Sequence, residues 1–253
     1  MDSKNVEMRE CRDSDNHPNT VPIILALDVT GSMGAIPQQL IADGLPTLMS
    51  SIIQGGLVDA SLLFLAIGDH ECDNYPVQVA QFESGDAELD MWLTRTYLEG
   101  GGGGNAGESY PLAWEFAANR VESDAWDKRK AKGFVFTIGD EPFLKQFPKS
   151  AFNEIYGKNR PVQSTLTAQE LVDAASKKFN VYHISLDHGY RTSDSMWDQL
   201  LGPNHIVIKD HREVPATIAR IILEKAEQAP VKEQAKQSTE KKPVKVEEPT
   251  PML

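Results

Sequence analysis

From Val21 the chain runs through VPIILALDV, a nearly continuous apolar stretch rich in β-branched residues. A run without a polar face predicts a central strand covered on both sides. It ends at Thr30-Gly31-Ser32, a turn signal. Ile36, Leu40, Ile41, Leu45, Leu48, Met49 and Ile52 then return at helical spacing. Pro37 suits the first turn of that helix, whereas Pro46 predicts a break or kink. After Gly55-Gly56, the segment DASLLFLAIGDH predicts a second strand ending near Gly68, followed by a short strand at about 77–82. Helical spacing resumes over 86–98 and again over 109–124. The segment KGFVFTIG at 132–139 is another buried-type strand, ending at Asp140. Residues 141–166 read as short helices and a long connection. Beyond them the pattern predicts a helix at 167–179, with Thr165 or Thr167 as cap, and a strand at 180–186. A short helix at 193–201, a strand at 205–208 and a closing helix at 214–226 complete the pattern.

This alternation over about 200 residues predicts an α/β fold. The expected architecture is a doubly wound, Rossmann-like sheet of about six strands with helices on both faces. It is mostly parallel, with 77–82 as a short antiparallel edge strand. The flanks differ. Residues 1–20 are polar and predict a mobile N-terminal arm, leaving 21–226 as the folded domain. Residues 227–253 hold five Lys and five Glu among Gln and Pro, which predicts a disordered, net-neutral tail.

Composition narrows the function. The 253 residues are 40% hydrophobic and carry a formal charge of -12. No basic stretch offsets that charge, so nucleic acid is not an expected partner. Cys11 and Cys72 are too few for a disulfide scaffold and predict unpaired thiols. The N-terminus lacks the apolar run of a signal peptide, and no apolar segment is long enough to span a bilayer. The expectation is a cytoplasmic protein with no membrane partner.

The candidate chemistry lies where strands end. Asp28, Thr30 and Ser32 alternate just past the first strand, in the crevice where open α/β sheets bind ligands. One carboxylate and two hydroxyls are hard oxygen donors, suited to Mg²⁺, Mn²⁺ or Ca²⁺. Asp140 holds the same strand-to-loop position after 132–139, so both carboxylates should meet on one rim. Burying them together is costly unless a cation compensates. The glycine run at 100–104 lets backbone approach a ligand, with Asn105 and Glu108 as oxygen donors. It matches neither a phosphate-binding P-loop nor a dinucleotide fingerprint. Asp69 could face the same rim and act behind the first ligands. His70-Glu71 is not part of an HExxH motif, the remaining histidines form no evident cluster, and no Ser/His/Asp nucleophile signature is present.

Asp28-Val29-Thr30-Gly31-Ser32-Met33 resembles the metal-ion-dependent adhesion site of von Willebrand factor A (vWA) domains, where the pattern is Asp-x-Ser-x-Ser. Thr30 keeps the hydroxyl of the first serine, and Asp140 in FTIGDEP resembles the family's later aspartate. The glycine run followed by Glu108 is similar to the intracellular branch, including vWA domains associated with alpha-kinases. The resemblance covers roughly residues 20–225. It implies a six-stranded doubly wound fold and protein binding through the metal; it does not imply an enzyme. Relatives in that branch often work beside AAA-type ATPases, chelatases or stress-response machinery. The adhesion-type threonine of the middle loop is missing here, which leaves Asn105 or Glu108 as the third ligand, with Glu108 favoured. The alternatives are a metal-dependent hydrolase or phosphoryl-transfer enzyme, and a structural vWA domain without a working site.

Overall fold

The computed structural model describes residues 1–99, 107–157, 164–187 and 194–228. In chain order these residues form β1 (Arg9–Cys11), β2 (Val21–Asp28), α1 (Ile36–Gln39), α2 (Leu45–Gln54), β3 (Ala60–Ile67), β4 (Val77–Glu83) and α3 (Asp86–Thr94). Next come α4 (Pro111–Asn119), β5 (Val121–Ser123), α5 (Asp124–Arg129), β6 (Gly133–Gly139), β7 (Gln146–Phe147) and α6 (Lys149–Tyr156). The order closes with β8 (Leu166–Thr167), α7 (Ala168–Ala175), β9 (Phe179–Leu186), α8 (Asp194–Leu201), β10 (His205–Ile208) and α9 (Val214–Gln228).

Six strands form the central sheet in the order β10-β9-β6-β2-β3-β4. Only the β3–β4 pair is antiparallel; the other neighbours are parallel. This is the predicted mixed, doubly wound α/β sheet. Along β2 the side chains separate by alternation. Ile24 and Ala26 join Trp114, Phe116, Leu171 and Trp197 on one face. Ile23, Leu25 and Leu27 join Leu48, Ile52 and Ile222 on the other. Both faces are therefore dry, which explains why the strand sequence shows no polar stripe.

The kink expected at Pro46 is a π turn, Leu40–Gly44, between α1 and α2. The wider turn lets Pro46, which has no N–H to donate, occupy the first turn of α2. Thr167 caps α7 in a capping box with Glu170.

Two expectations need correction. The segment 109–124 is not one helix. Helix α4 ends at Asn119, and Val121 begins β5, which pairs in parallel with β1. Likewise, residues 1–20 do not lie free as an arm. Val6 and Cys11 are buried, Ser3 Oγ donates to the Ile155 carbonyl at 2.6 Å, and Val79 N donates to the Met1 carbonyl at 2.8 Å. The N-terminal segment thereby covers the outer edge of β4, which would otherwise present unpaired backbone groups. Its polar residues hold it there. Arg12 reaches Glu10, Glu122, Asp124 and Asp127, and Arg129 grips both oxygens of Asp13 at 2.7 and 3.1 Å. Polarity that reads as solvation in the sequence is mutual neutralisation in the fold. Of the tail, residues 229–253 lie outside the described residues, as do the glycine run 100–104 and Asn105.

Candidate metal centre

Asp28 is the last residue of β2 and is fully buried. Its Oδ1 accepts from the Thr30 backbone N at 2.9 Å and from Thr30 Oγ1 at 2.7 Å. A short 3₁₀ turn, Gly31–Met33, then folds the chain back. It brings Ser32 Oγ to 3.2 Å from Thr30 Oγ1, and Ser32 Oγ donates to Asp140 Oδ1 at 2.9 Å. A continuous polar path thus runs Asp28–Thr30–Ser32–Asp140, from the end of β2 to the end of its neighbour β6. Thr30 lies at the buried end of this path, and Ser32 opens to solvent.

Thr30 Oγ1 donates to Asp28 Oδ1, and Ser32 Oγ donates to Asp140 Oδ1. The two hydroxyl oxygens are themselves 3.2 Å apart, a contact in which either can be the donor. Adjacent ligands of an octahedral Mg²⁺ lie about 3 Å apart, so the spacing is that of two neighbouring ligands. Among the described residues, no three Asp, Glu, His or Cys side chains gather as a metal-holding group by themselves. A cation here would therefore depend on the hydroxyls.

Three further residues stand behind this path. Tyr110 donates its hydroxyl to Asp28 Oδ2 at 2.5 Å and is fully buried. It fits because residue 139 is glycine: a Cβ there would stand 1.9 Å from the tyrosine oxygen. Glu108 is also buried and is fixed by its backbone, which donates to the Pro142 carbonyl at 2.8 Å and accepts from Leu144 N at 3.0 Å. Among the described residues, its Oε2 has no hydrogen-bond partner, and neither has Oδ2 of the buried Asp69. Burial pushes the Asp28 carboxyl up to about 7; hydrogen bonds from Tyr110 and Thr30 oppose this, and the charge of Asp140 adds to it. Glu108 is pushed up to about 9, first by burial and then by the charges of Asp28, Asp69, Asp73 and Glu141. Burial and the mutual repulsion of neighbouring carboxylates raise both values.

No protein-family model matches the sequence, and no curated protein is similar to it. Solved structures do match in shape. The vWF domain of the type V pili tip protein Mfa5 from Porphyromonas gingivalis has a TM-score of 0.55 at 10% identity, over 83% of this chain and 95% of that one. The chain has a vWA-like fold. Proximal thread matrix protein 1 from the mussel byssus gives a TM-score of 0.55 at 10% identity, over 86% of this chain. The open conformation of the pilus adhesin SpaC from Lactobacillus rhamnosus GG gives 0.53 at 11% identity, again over 86%. This chain spans 49% of the mussel protein and 31% of SpaC, and at these identities the likeness is one of fold.

In this vWA-like domain, Asp28, Thr30, Ser32 and Asp140 come together in one hydrogen-bonded path. Glu108 and Asp69 lie close enough to act on each other electrostatically, and Glu108 also feels Asp28. Asn105 is outside the described residues. The sequence reading missed Tyr110 and Gly139, whose pairing is specific to the folded state. It also missed a histidine arrangement beneath α8. His205 Nε2 lies 2.8 Å from Ser185 Oγ, and its Nδ1 lies 2.8 Å from Asp198 Oδ1. The order matches a nucleophile relay, but Ser185 is buried within β9. It serves to pin α8 to the sheet. Next to Asp198, Trp197 stacks on His183 with ring centroids 3.4 Å apart.

Proposed function

We propose that this chain is a protein-interaction module that binds its partner through a divalent cation held on the C-terminal rim of the sheet. Thr30, Ser32 and Asp140 would hold the ion, with Asp28 behind or among them and Glu108 as the third loop's ligand. Mg²⁺ suits the donors best, with Mn²⁺ or Ca²⁺ as hard-ion alternatives. The observation that carries the reading is the pair of hydroxyl oxygens 3.2 Å apart, each also bonded to a carboxylate at a strand end. When bound, the ion would supply a Lewis-acidic position for an oxygen of the partner. Asp28, Tyr110 and Gly139 keep the two strand ends in register beneath it.

Glu108 decides what kind of oxygen that is. If its carboxylate ligates together with Asp28 and Asp140, the ion is already more than neutralised on a chain of charge -12. A neutral oxygen of the partner is then preferred over another carboxylate. The resemblance to intracellular vWA domains adds an expectation of a cytoplasmic complex, such as one containing an AAA-type ATPase. The direct test is capture of partners from a cell extract in Mg²⁺ and in chelator, with wild type beside Asp28→Ala. A partner should be retained only by wild type with Mg²⁺. Equal retention in chelator would overturn the metal-dependent reading.

A further inference from the structure

A cavity of about 310 Å³ lies where the β7–β8 ribbon, the start of α7 and helix α8 meet. Its apolar lining is Phe143, Ala168, Met196 and Leu200, the first two buried and the last two half-buried. Phe143 is held in place by Trp197, with ring centroids 4.7 Å apart, and Trp197 Nε1 donates to the Glu141 carbonyl at 3.3 Å. The apolar floor is therefore tied to the loop that carries Asp140. The volume is at the low end for ligand pockets, room for about one or two side chains.

The polar lining selects the occupant. The chain carries 37 Asp and Glu against 25 Lys and Arg, yet the one charged side chain among the described residues lining this cavity is Lys145. Lys145 is exposed and makes no ion pair among the described residues. Thr167 and Gln169 are already engaged with carboxylates of α7, Glu170 at 2.8 Å and Asp173 at 2.9 Å. Gln146 and Gln199 line the same cavity and are exposed, so their amides can donate to and accept from a peptide backbone. An apolar floor, backbone-pairing amides and a single ammonium complement a short stretch of chain with a large aliphatic side chain next to an acidic one.

We propose that this cavity docks an extended segment of a partner protein, with a leucine-like side chain on the floor of Phe143, Met196 and Leu200 and a neighbouring carboxylate on Lys145. The inference does not depend on the cation reading, because none of these side chains is among Asp28, Thr30, Ser32, Glu108 and Asp140. The test follows the Met196 methyl group by NMR in the full chain with methyl-labelled methionine, assigned through Met196→Leu. It is run in chelator, so that failure here and failure of the cation reading remain separate. The probes are the blocked dipeptides acetyl-Leu-Glu-methylamide, acetyl-Leu-Gln-methylamide and acetyl-Ala-Glu-methylamide. The Leu-Glu compound should shift the Met196 signal saturably. The isosteric Leu-Gln compound should bind about threefold more weakly, and the Ala-Glu compound about tenfold. Lys145→Gln changes an exposed side chain only, and should bind the Leu-Glu and Leu-Gln compounds equally. The proposal is overturned if no dipeptide moves Met196, if Leu-Gln or Ala-Glu binds as well as Leu-Glu, or if Lys145→Gln keeps the preference for Glu. A Met196 signal that moves with protein concentration alone would give the cavity to a second copy of this chain and would also overturn it.

Discussion

Two acidic clusters in this domain are solved in opposite ways. At the N-terminal clamp, Asp13, Glu10, Glu122, Asp124 and Asp127 are met by Arg12, Arg129 and Lys128. The Arg129 guanidinium holds the Asp13 carboxyl well below the ordinary carboxylate range. At the rim, Asp28 and Asp140 are met instead by the hydroxyls of Thr30, Ser32 and Tyr110. There the carboxyls of Asp28 and Glu108 are pushed up. The first cluster contains its own cation, and the second has donor geometry where one would sit. That contrast, more than acidity itself, is why we propose the rim as the functional end of the sheet.

The comparison can be broken first at Gly139. An alanine methyl would collide with the Tyr110 hydroxyl at 1.9 Å and drive it from Asp28. Gly139→Ala should lose about 3 kcal/mol in urea denaturation. A loss under about 0.5 kcal/mol would show that Tyr110 is not fixed as described.

The second effect is pH dependence. Both rim carboxyls have folded values above their ordinary ones of 3.8 and 4.5, so the folded state binds more protons than the unfolded state in that range. Their contribution is present at low pH and is lost as pH rises through about 7 for Asp28 and about 9 for Glu108. Metal-free protein should therefore lose about 1 kcal/mol or more between these two values, read as a melting point lower by a few degrees. His70 and His183, whose values burial lowers, are already neutral there and do not oppose the trend. Saturating Mg²⁺ should flatten the slope. A metal-free melting point that rises with pH over this interval would contradict the arrangement of the rim.

The smallest effect is expected at the clamp. Arg129→Ala removes the bidentate grip on Asp13 and a bond to the Thr20 carbonyl. Because these groups are partly exposed, the cost should be about 1 kcal/mol. Limited proteolysis should then cut within residues 1–20 of the variant but not of wild type. Equal cutting of both would mean that the clamp does not hold the segment.

Much of the sheet was legible because its central strands are largely apolar, as in Ile23–Leu27 and, with only Thr137 breaking the run, Phe134–Ile138. Strand β10 matches its predicted bounds, and α9 begins where predicted. Local patterns failed where the partner is distant. Arg9–Cys11 becomes a strand only by pairing with Val121–Ser123, more than a hundred residues away, and neither segment shows period-two alternation. At the site, Asp28, Thr30, Ser32 and Asp140 could be read from their positions at strand ends. Tyr110 could not, because its value to Asp28 depends on space left by Gly139 on a strand it does not neighbour in sequence.

Calorimetric titration of the wild-type chain with Mg²⁺ tests the central claim most directly. The account predicts one ion bound per chain at millimolar concentration or below, with affinity falling as pH drops and the rim carboxyls take up protons. No binding at millimolar Mg²⁺, Mn²⁺ or Ca²⁺ would contradict it.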